Sequence, residues 1–461
     1  MELPVLQPEE RVLTTLESDG SRHWLYPKLA KGRFWWWRRV VAYALIAIYA
    51  LLPFIKIGGK PAVLLDFASR KFIFFGFTFL PTDTLLLAIA MVAFFLFIFF
   101  ITAVLGRVWC GWACPQTVYM EFVFRPIERL FTGTTGRGNK PKKNVPAWRI
   151  ALMYFVFFLI CLHLSNVFLA YFVGVDKLHE WIWNSNPFQH PAAFAVVAVV
   201  TGLMMFDFCY WREQLCIIGC PYGRFQSVLL DTSSCIIGYD EQRGEPRGKG
   251  RDREARNLGS CVDCHLCVDV CPTGIDIRDG LQLECIGCAQ CIDACDEVMD
   301  KTNQPRGLIR YSSQQALEGN PTRVVRPRTV VYLAAITLLA TLFVTVLVNK
   351  SAFDVTLLRG LGQPFNLSEA GDDVGNILRV QIVNRTDEPS TYRIELIEPK
   401  EARISHSDEL QLVEPGETVE QPVHIHAPRD VFRSGKANLK IRVVDQQDRA
   451  VEENFFLLGP L

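Results

Sequence analysis

Cys261-Val-Asp-Cys264-His-Leu-Cys267-Val-Asp-Val-Cys271-Pro272 is followed by Cys285-Ile-Gly-Cys288-Ala-Gln-Cys291-Ile-Asp-Ala-Cys295-Asp296. Each run spaces its cysteines by two, two and three intervening residues. This is the bacterial two-cluster ferredoxin spacing: three thiolates wrap one face of an iron–sulfur cubane and the fourth reaches the other cluster. On that rule one 4Fe-4S cluster takes Cys261, Cys264, Cys267 and Cys295, and the other takes Cys285, Cys288, Cys291 and Cys271. Pro272 turns the chain away from the first run. Asp296 stands where the second run would carry its proline, a departure that leaves ligation untouched. Structural zinc also accepts Cys-x2-Cys pairs, but four thiolates per ion give no reason for a doubled four-cysteine run. Two clusters this close in the chain read as an electron relay. His265, inside the first run, reads as a hydrogen-bonding or solvent-facing neighbour of a cluster.

Around these runs the composition divides the chain. It has 461 residues, 50% of them hydrophobic, and no formal net charge, which gives no hint of nucleic-acid binding. All 15 cysteines fall between Cys110 and Cys295. A secreted disulfide framework scatters its cysteines through the extracellular parts, so this clustering points to metal ligation on a reducing side of a membrane. The stretch Asp240 to Asn257, rich in Gly, Arg and Glu, reads as a flexible solvated linker. The N-terminus is acidic (Glu2, Glu9, Glu10) and shows no cleavable signal peptide.

Five segments are long and apolar enough to cross a bilayer. They are Val40 to Ile55, preceded by Trp35, Trp36 and Trp37; Thr84 to Leu105; Ile150 to Val173; Ala192 to Trp211; and Thr329 to Val348. Basic residues set the orientation. Arg22, Lys28, Lys31, Arg33, Arg38 and Arg39 precede the first span. Arg107, Arg125, Arg129, Arg137, Lys140, Lys142, Lys143 and Arg149 lie between the second and third, and Arg323, Arg326 and Arg328 precede the fifth. Lys177 alone lies between the third and fourth. Against the trend, Lys56, Lys60, Arg70 and Lys71 fall between the first and second, where Lys71 to Leu80 reads as a run on the outer membrane surface. The balance puts the N-terminus and residues 212–328 inside and the C-terminus outside.

Two further cysteine pairs follow spans. Trp109-Cys110-Gly-Trp-Ala-Cys114-Pro115 comes after the second and Cys216-Ile-Ile-Gly-Cys220-Pro221 after the fourth, so span plus Cys-x3-Cys-Pro is an internal repeat. Cysteines four apart share a face if the segment is helical. They suit a soft metal ion, with Cu(I) favoured by thiolates, or dithiol–disulfide cycling. Cys161 and Cys209 read as packing residues, and Cys235 is isolated. His163 is the only histidine within a span, which argues against bis-histidine haem, and is a weaker copper candidate. Asp207, near Cys209 and Cys216, is another, with proton handling as its alternative role. Met204 and Met205 are soft donors that read as packing.

From residue 350 onward polar and apolar residues alternate, in Leu378 to Asn384, Tyr392 to Ile397, Val423 to His426 and Ala437 to Val444, with turn signals at Glu414-Pro-Gly416 and Asp445-Gln-Gln-Asp448. Period two over short stretches predicts strands, and about a hundred residues of them predict an immunoglobulin-like sandwich. His424 and His426 point to one face of a strand and read as strand histidines before copper ligands.

The chain resembles the cytochrome c oxidase accessory proteins of bacteria, the CcoG/FixG/RdxA family. The resemblance rests on both Cys-x3-Cys-Pro motifs, the doubled ferredoxin run, Pro305-Arg-Gly-Leu-Ile-Arg-Tyr311 and the C-terminal strands. It implies a cupric reductase, an oxidoreductase that turns Cu(II) into Cu(I) for assembly of the cbb-type oxidase. Cys110, Cys114, Cys216 and Cys220 are then the redox or copper cysteines. Implied partners are the membrane, a cytoplasmic electron donor, a copper transporter or chaperone, and oxidase assembly factors; a homodimer is left open. Two other functions remain in view: a quinol-linked electron-transfer subunit, and a non-catalytic assembly scaffold.

The expected architecture is multi-domain, in a bacterial inner membrane: a helical membrane bundle of about five spans, a two-cluster ferredoxin-like α+β insert, and a C-terminal all-β immunoglobulin-like sandwich. A cytoplasmic segment covers 1–39. A four-span membrane domain covers 40–211, and a cytoplasmic region 212–328 holds the insert at 255–300. The fifth span is 329–349, and the sandwich, 350–461, is periplasmic. A reporter fused after residue 350 should be active outside the cytoplasm and one fused at residue 250 active inside. The opposite pattern would overturn the orientation.

Overall fold

Five helices carry the apolar segments: Arg33–Phe54, Thr84–Leu105, Ala147–Val173, Pro191–Trp211 and Pro327–Val348. The computed structural model describes residues 14–17, 21–68, 71–80, 83–135, 140–142, 144–184, 186–250, 256–368, 372–386, 388–405 and 412–460. Glu2, Glu9, Glu10, Arg70, Arg137, Lys143 and residues 251–255 lie outside the described residues. The chain divides into two compact units, residues 1–64 with 90–340, and residues 65–89 with 341–461.

In the first unit, the first span helix begins at Arg33, earlier than expected, so Trp35, Trp36 and Trp37 lie inside it. The cause is a cap supplied from far along the chain. Asp293 accepts hydrogen bonds from the backbone N–H of Phe34 (3.1 Å) and Trp35 (2.7 Å), satisfying donors that a helix start leaves orphaned. A side chain at Gly32 would collide with this carboxyl, its Cβ only 2.3 Å from Asp293 Cγ. The fourth span closes with a π turn at Asp207–Trp211.

The insert is built on short elements. The strand Ile236–Tyr239 pairs antiparallel with Ile309–Ser312. Left-handed residues His265 and Ala289 lead into the helices Leu266–Asp269 and Gln290–Lys301. Ile237, Ile275, Ile277, Ile292, Met299 and Leu308 pack around Cys261 and Cys267. The segment expected to be a free linker is instead tied down where it is described. Cys261 N–H donates to the Gly244 carbonyl (3.3 Å), and Gly248 N–H to the Cys261 carbonyl (3.2 Å). Gly259 packs on the Gly244 backbone so closely that a Cβ would stand 2.4 Å from it.

In the second unit, Lys71–Phe74 and Phe77–Phe79 form a hairpin. The C-terminal residues make the expected immunoglobulin-like β region. One sheet orders Phe353–Arg359, Asp373–Asn384, Thr418–Pro428 and Arg403–Ser405; the other orders Leu412–Val413, Ser390–Glu398, Lys436–Asp445 and Ala450–Leu458. The alternate residues Leu378, Val380 and Ile382 meet Ile394, Leu439, Ile441 and Val443 in the core. Asp83 is buried between Lys350 (2.7 Å) and Arg385 (3.7 Å).

Asn384, fully buried, ties the sandwich together. Its amide donates to the carbonyls of Glu388 (2.8 Å) and Val413 (2.9 Å), and its oxygen accepts from Thr386 N–H (2.9 Å). Asn384→Leu should destabilise the sandwich by about 1–3 kcal/mol for each backbone group left unpaired. Thermal or denaturant unfolding followed by the β-sheet signal measures it; an unchanged midpoint would refute the assignment.

Candidate metal and electron-transfer site

The ferredoxin runs fold into two thiol groups. Cys295 lies near Cys261 and Cys264, and Cys267 near Cys264 and Cys295. Cys271 lies near Cys285, Cys288 and Cys291. The fourth cysteine of each run thus stands among the first three of the other. Of these eight thiols only Cys264 is exposed; Cys261, Cys267 and Cys288 are buried. Beside Cys264, Arg278 joins Asp263 (2.8 Å) and His265 Nδ1 (2.8 Å), so His265 belongs to a polar cluster at the open end.

The membrane pairs, 102 residues apart at their nearest (Cys114 to Cys216), converge on one place. Cys216 lies near Cys110, Cys114 and Cys220. Cys110 is held by the buried amide of Gln226, accepting from its thiol at 3.0 Å, and Gln226 in turn donates to Tyr222 (2.6 Å). Asp207 reaches this group, close to Cys114 and bonded to Gln116 (3.2 Å). His163 is exposed on its helix, and His424 and His426 are exposed on theirs. Cys161 and Cys209 pack with Phe124, Phe157 and Phe208. Cys235 anchors its loop, its N–H donating to the Val104 carbonyl (3.1 Å).

The two thiol systems touch. Cys110, Cys216, Ile286 and Cys288 share one packed cluster. A Cβ at Gly111 would sit 2.7 Å from the backbone N and Cα of Cys288, so only glycine lets the first membrane motif lie on the second ferredoxin run. Tyr311 clamps the contact, accepting from Trp112 (2.9 Å) and donating to the Gly287 carbonyl (2.6 Å).

The donor sets fit iron–sulfur ligation. Among the described residues, no three His, Cys, Asp or Glu side chains are set to hold a metal ion, the ferredoxin cysteines included; a cubane spreads its thiolates wider than one ion does. Arg38 is fully buried and donates from Nε to the Gly111 carbonyl (2.8 Å), yet its Nη1 and Nη2 have no hydrogen-bond partner among the described residues. It lies near Cys288, where an anionic cluster would offset its charge. Burial pushes the Cys110 and Cys285 thiols up to about 11 and Cys267, Cys288 and Cys295 up to about 12. Metal binding at these thiols therefore displaces protons. Arg38, Gln226 and Gln116 escape a motif search: Arg38 reads as an orientation charge, and no spacing links Gln226 to Cys110.

A 4Fe-4S dicluster domain matches residues 211–314, a 4Fe-4S binding domain matches 87–133, and the Ig-like fold at the C-terminus of FixG matches 343–460. The 87–133 match takes in Cys110 and Cys114. Protein RdxB of Cereibacter sphaeroides is 33% identical over 441 residues, 88% of this chain and 90% of its own. Protein RdxA of the same organism is 31% identical, covering 80% of this chain and 81% of its own. The nitrogen fixation protein FixG of Rhizobium meliloti is 33% identical, covering 64% and 58%.

Gly111→Ala should lose iron from the Cys285 set, because backbone on the far side cannot yield. Gly202→Ala, at a span glycine with open space around it, should keep its iron. Equal iron in both variants would refute the close contact.

Proposed function

The chain belongs to the FixG/RdxA family, and from that membership we propose that it reduces Cu(II) to Cu(I) at the joined cysteines Cys110, Cys114, Cys216 and Cys220. The coarser statement stands by itself: this is a membrane-type 4Fe-4S ferredoxin-like electron-transfer protein. The observation that supports the proposal is the packing of Cys110 and Cys216 against Cys288; a soft-donor site there would stand at the end of the relay.

When bound, each 4Fe-4S cluster supplies one electron at a time, and each Cu(II) takes one to become Cu(I). Cys261, Cys264, Cys267 and Cys295 would hold one cluster and Cys285, Cys288, Cys291 and Cys271 the other. The exposure of Cys264 favours entry of electrons at the first. Thiolates at the membrane motif favour the Cu(I) product over Cu(II). Asp207 is placed to take up protons that Cys114 releases. The donor is a cytoplasmic reductant, and the product passes to a copper transporter or chaperone serving cbb-type oxidase assembly. The basic-residue bias supports an inner-membrane setting with the clusters inside and the sandwich outside. A second reading has a specific observation behind it: the 4Fe-4S binding match over 87–133 favours an iron–sulfur cluster on the four membrane cysteines.

One set of preparations separates them. Cys110→Ser with Cys114→Ser, or Cys216→Ser with Cys220→Ser, should keep about eight iron atoms per chain, the sum for two four-iron clusters. Both should lose most Cu(II) reduction by the dithionite-reduced protein, since serine offers a hard oxygen where Cu(I) takes sulfur. Cys288→Ser should lose iron and copper reduction together. Unchanged copper reduction in the double variants would sink the copper site; iron falling with them would establish the second reading.

A further inference from the structure

A cavity of about 310 Å³ opens among the first, third and fourth spans, a size that suits a small ligand. Its walls are apolar: Ile46 from the first span, Leu164 from the third, and Met204 and Phe208 from the fourth. One end is polar. Gln116 Nε2 donates to Asp207 Oδ1 (3.2 Å) and to the Arg212 carbonyl (3.0 Å). Elsewhere on the wall the Tyr119 hydroxyl, near Tyr49 and Tyr171, is buried and, among the described residues, has no hydrogen-bond partner. Ala113 and Pro115 line the same space, so Cys114 stands directly at its edge.

We propose that this cavity binds the ring of a membrane quinone. A ligand that enters between spans has to be soluble in the bilayer. A plain acyl chain would leave the Tyr119 hydroxyl unpaired against hydrocarbon, which is costly. A quinone ring offers a carbonyl oxygen that accepts from Tyr119; in the quinol form a hydroxyl donates to Asp207. The rings of Tyr119 and Phe208, 6.4 Å apart between centroids, give the flat head an aromatic surface. The isoprenoid tail leaves along Ile46 and Leu164 toward lipid. The ring then lies beside the Cys114 thiol, where a carrier of electrons and protons has a use that a lipid tail lacks. The inference holds whichever metal the four membrane thiols take.

Calorimetric titration of the purified full-length protein with decylubiquinone and with menadione tests it. One ring should bind per chain. Tyr119→Phe should weaken binding about three- to tenfold, the loss of one hydrogen bond. Ile46→Trp and Leu164→Trp, filling the space from opposite walls, should abolish binding while iron content and cluster absorbance stay at the parent level. Decylbenzene, with the same tail and no ring oxygens, should not compete. Competition by decylbenzene would make the space a lipid groove and overturn the proposal, as would absence of binding or full binding in both tryptophan variants. Should the tryptophan variants lose iron, Tyr119→Phe decides alone, and unchanged affinity there overturns it. Copper reduction is measured with dithionite and no quinone, so its failure is read separately.

Discussion

The backbone of Gly111 lies on the backbone of Cys288, and the rest of the redox architecture depends on that contact. It joins a motif at the end of a span to a cluster-binding loop with no side chain between them. Arg38 completes the junction from the first span, its guanidinium fully buried against the Gly111 carbonyl. A buried guanidinium without a counter-charge is strongly destabilising. Two neighbours answer it: the thiol group at Cys288, anionic once metal is bound, and Glu121. Burial raises the Glu121 pKa, but Arg125, Arg38 and Arg129 more than offset this and hold its carboxyl below the ordinary range.

Around this junction runs a network of buried charge. Arg125 pairs with Glu121 and, at 3.4 Å, with Glu213; Arg212 pairs with Glu128 at 3.0 Å. Gln290, in the second ferredoxin run, donates to Glu121 at 3.3 Å. The network ties the segment after the second span to the end of the fourth and to the insert. Such pairs contribute little net stability against a well-packed apolar core, but losing one partner strands the other. They link the segments that carry the two Cys-x3-Cys-Pro motifs.

What was legible in the sequence was what is local in the chain. Cysteine spacing, the apolar spans and the period-two strands are each written within a few dozen residues, and each has its counterpart in the structure. What was not legible depends on partners far apart. The helix start at Arg33 is determined by Asp293, about 260 residues later. The two membrane pairs read as separate motifs, and only the packed fold makes them one group. The Gly- and Arg-rich stretch after Asp240 looked like a linker because its composition is polar, whereas its backbone is bonded to Cys261. Arg38 was counted among charges that orient a span, and nothing in its neighbours shows that it turns inward.

Cys264 is the one exposed thiol among the eight in the ferredoxin runs. An opening that admits a reductant also admits dioxygen. If electrons enter at this corner, the same opening would make the relay perishable, since a sulfur–iron bond formed there would be the first that air could attack. A cluster held at Cys288 would be shielded by the membrane motif lying on it. On the proposed electron path, air would then damage the chain from the outside inward, the entry cluster before the one beneath the membrane motif.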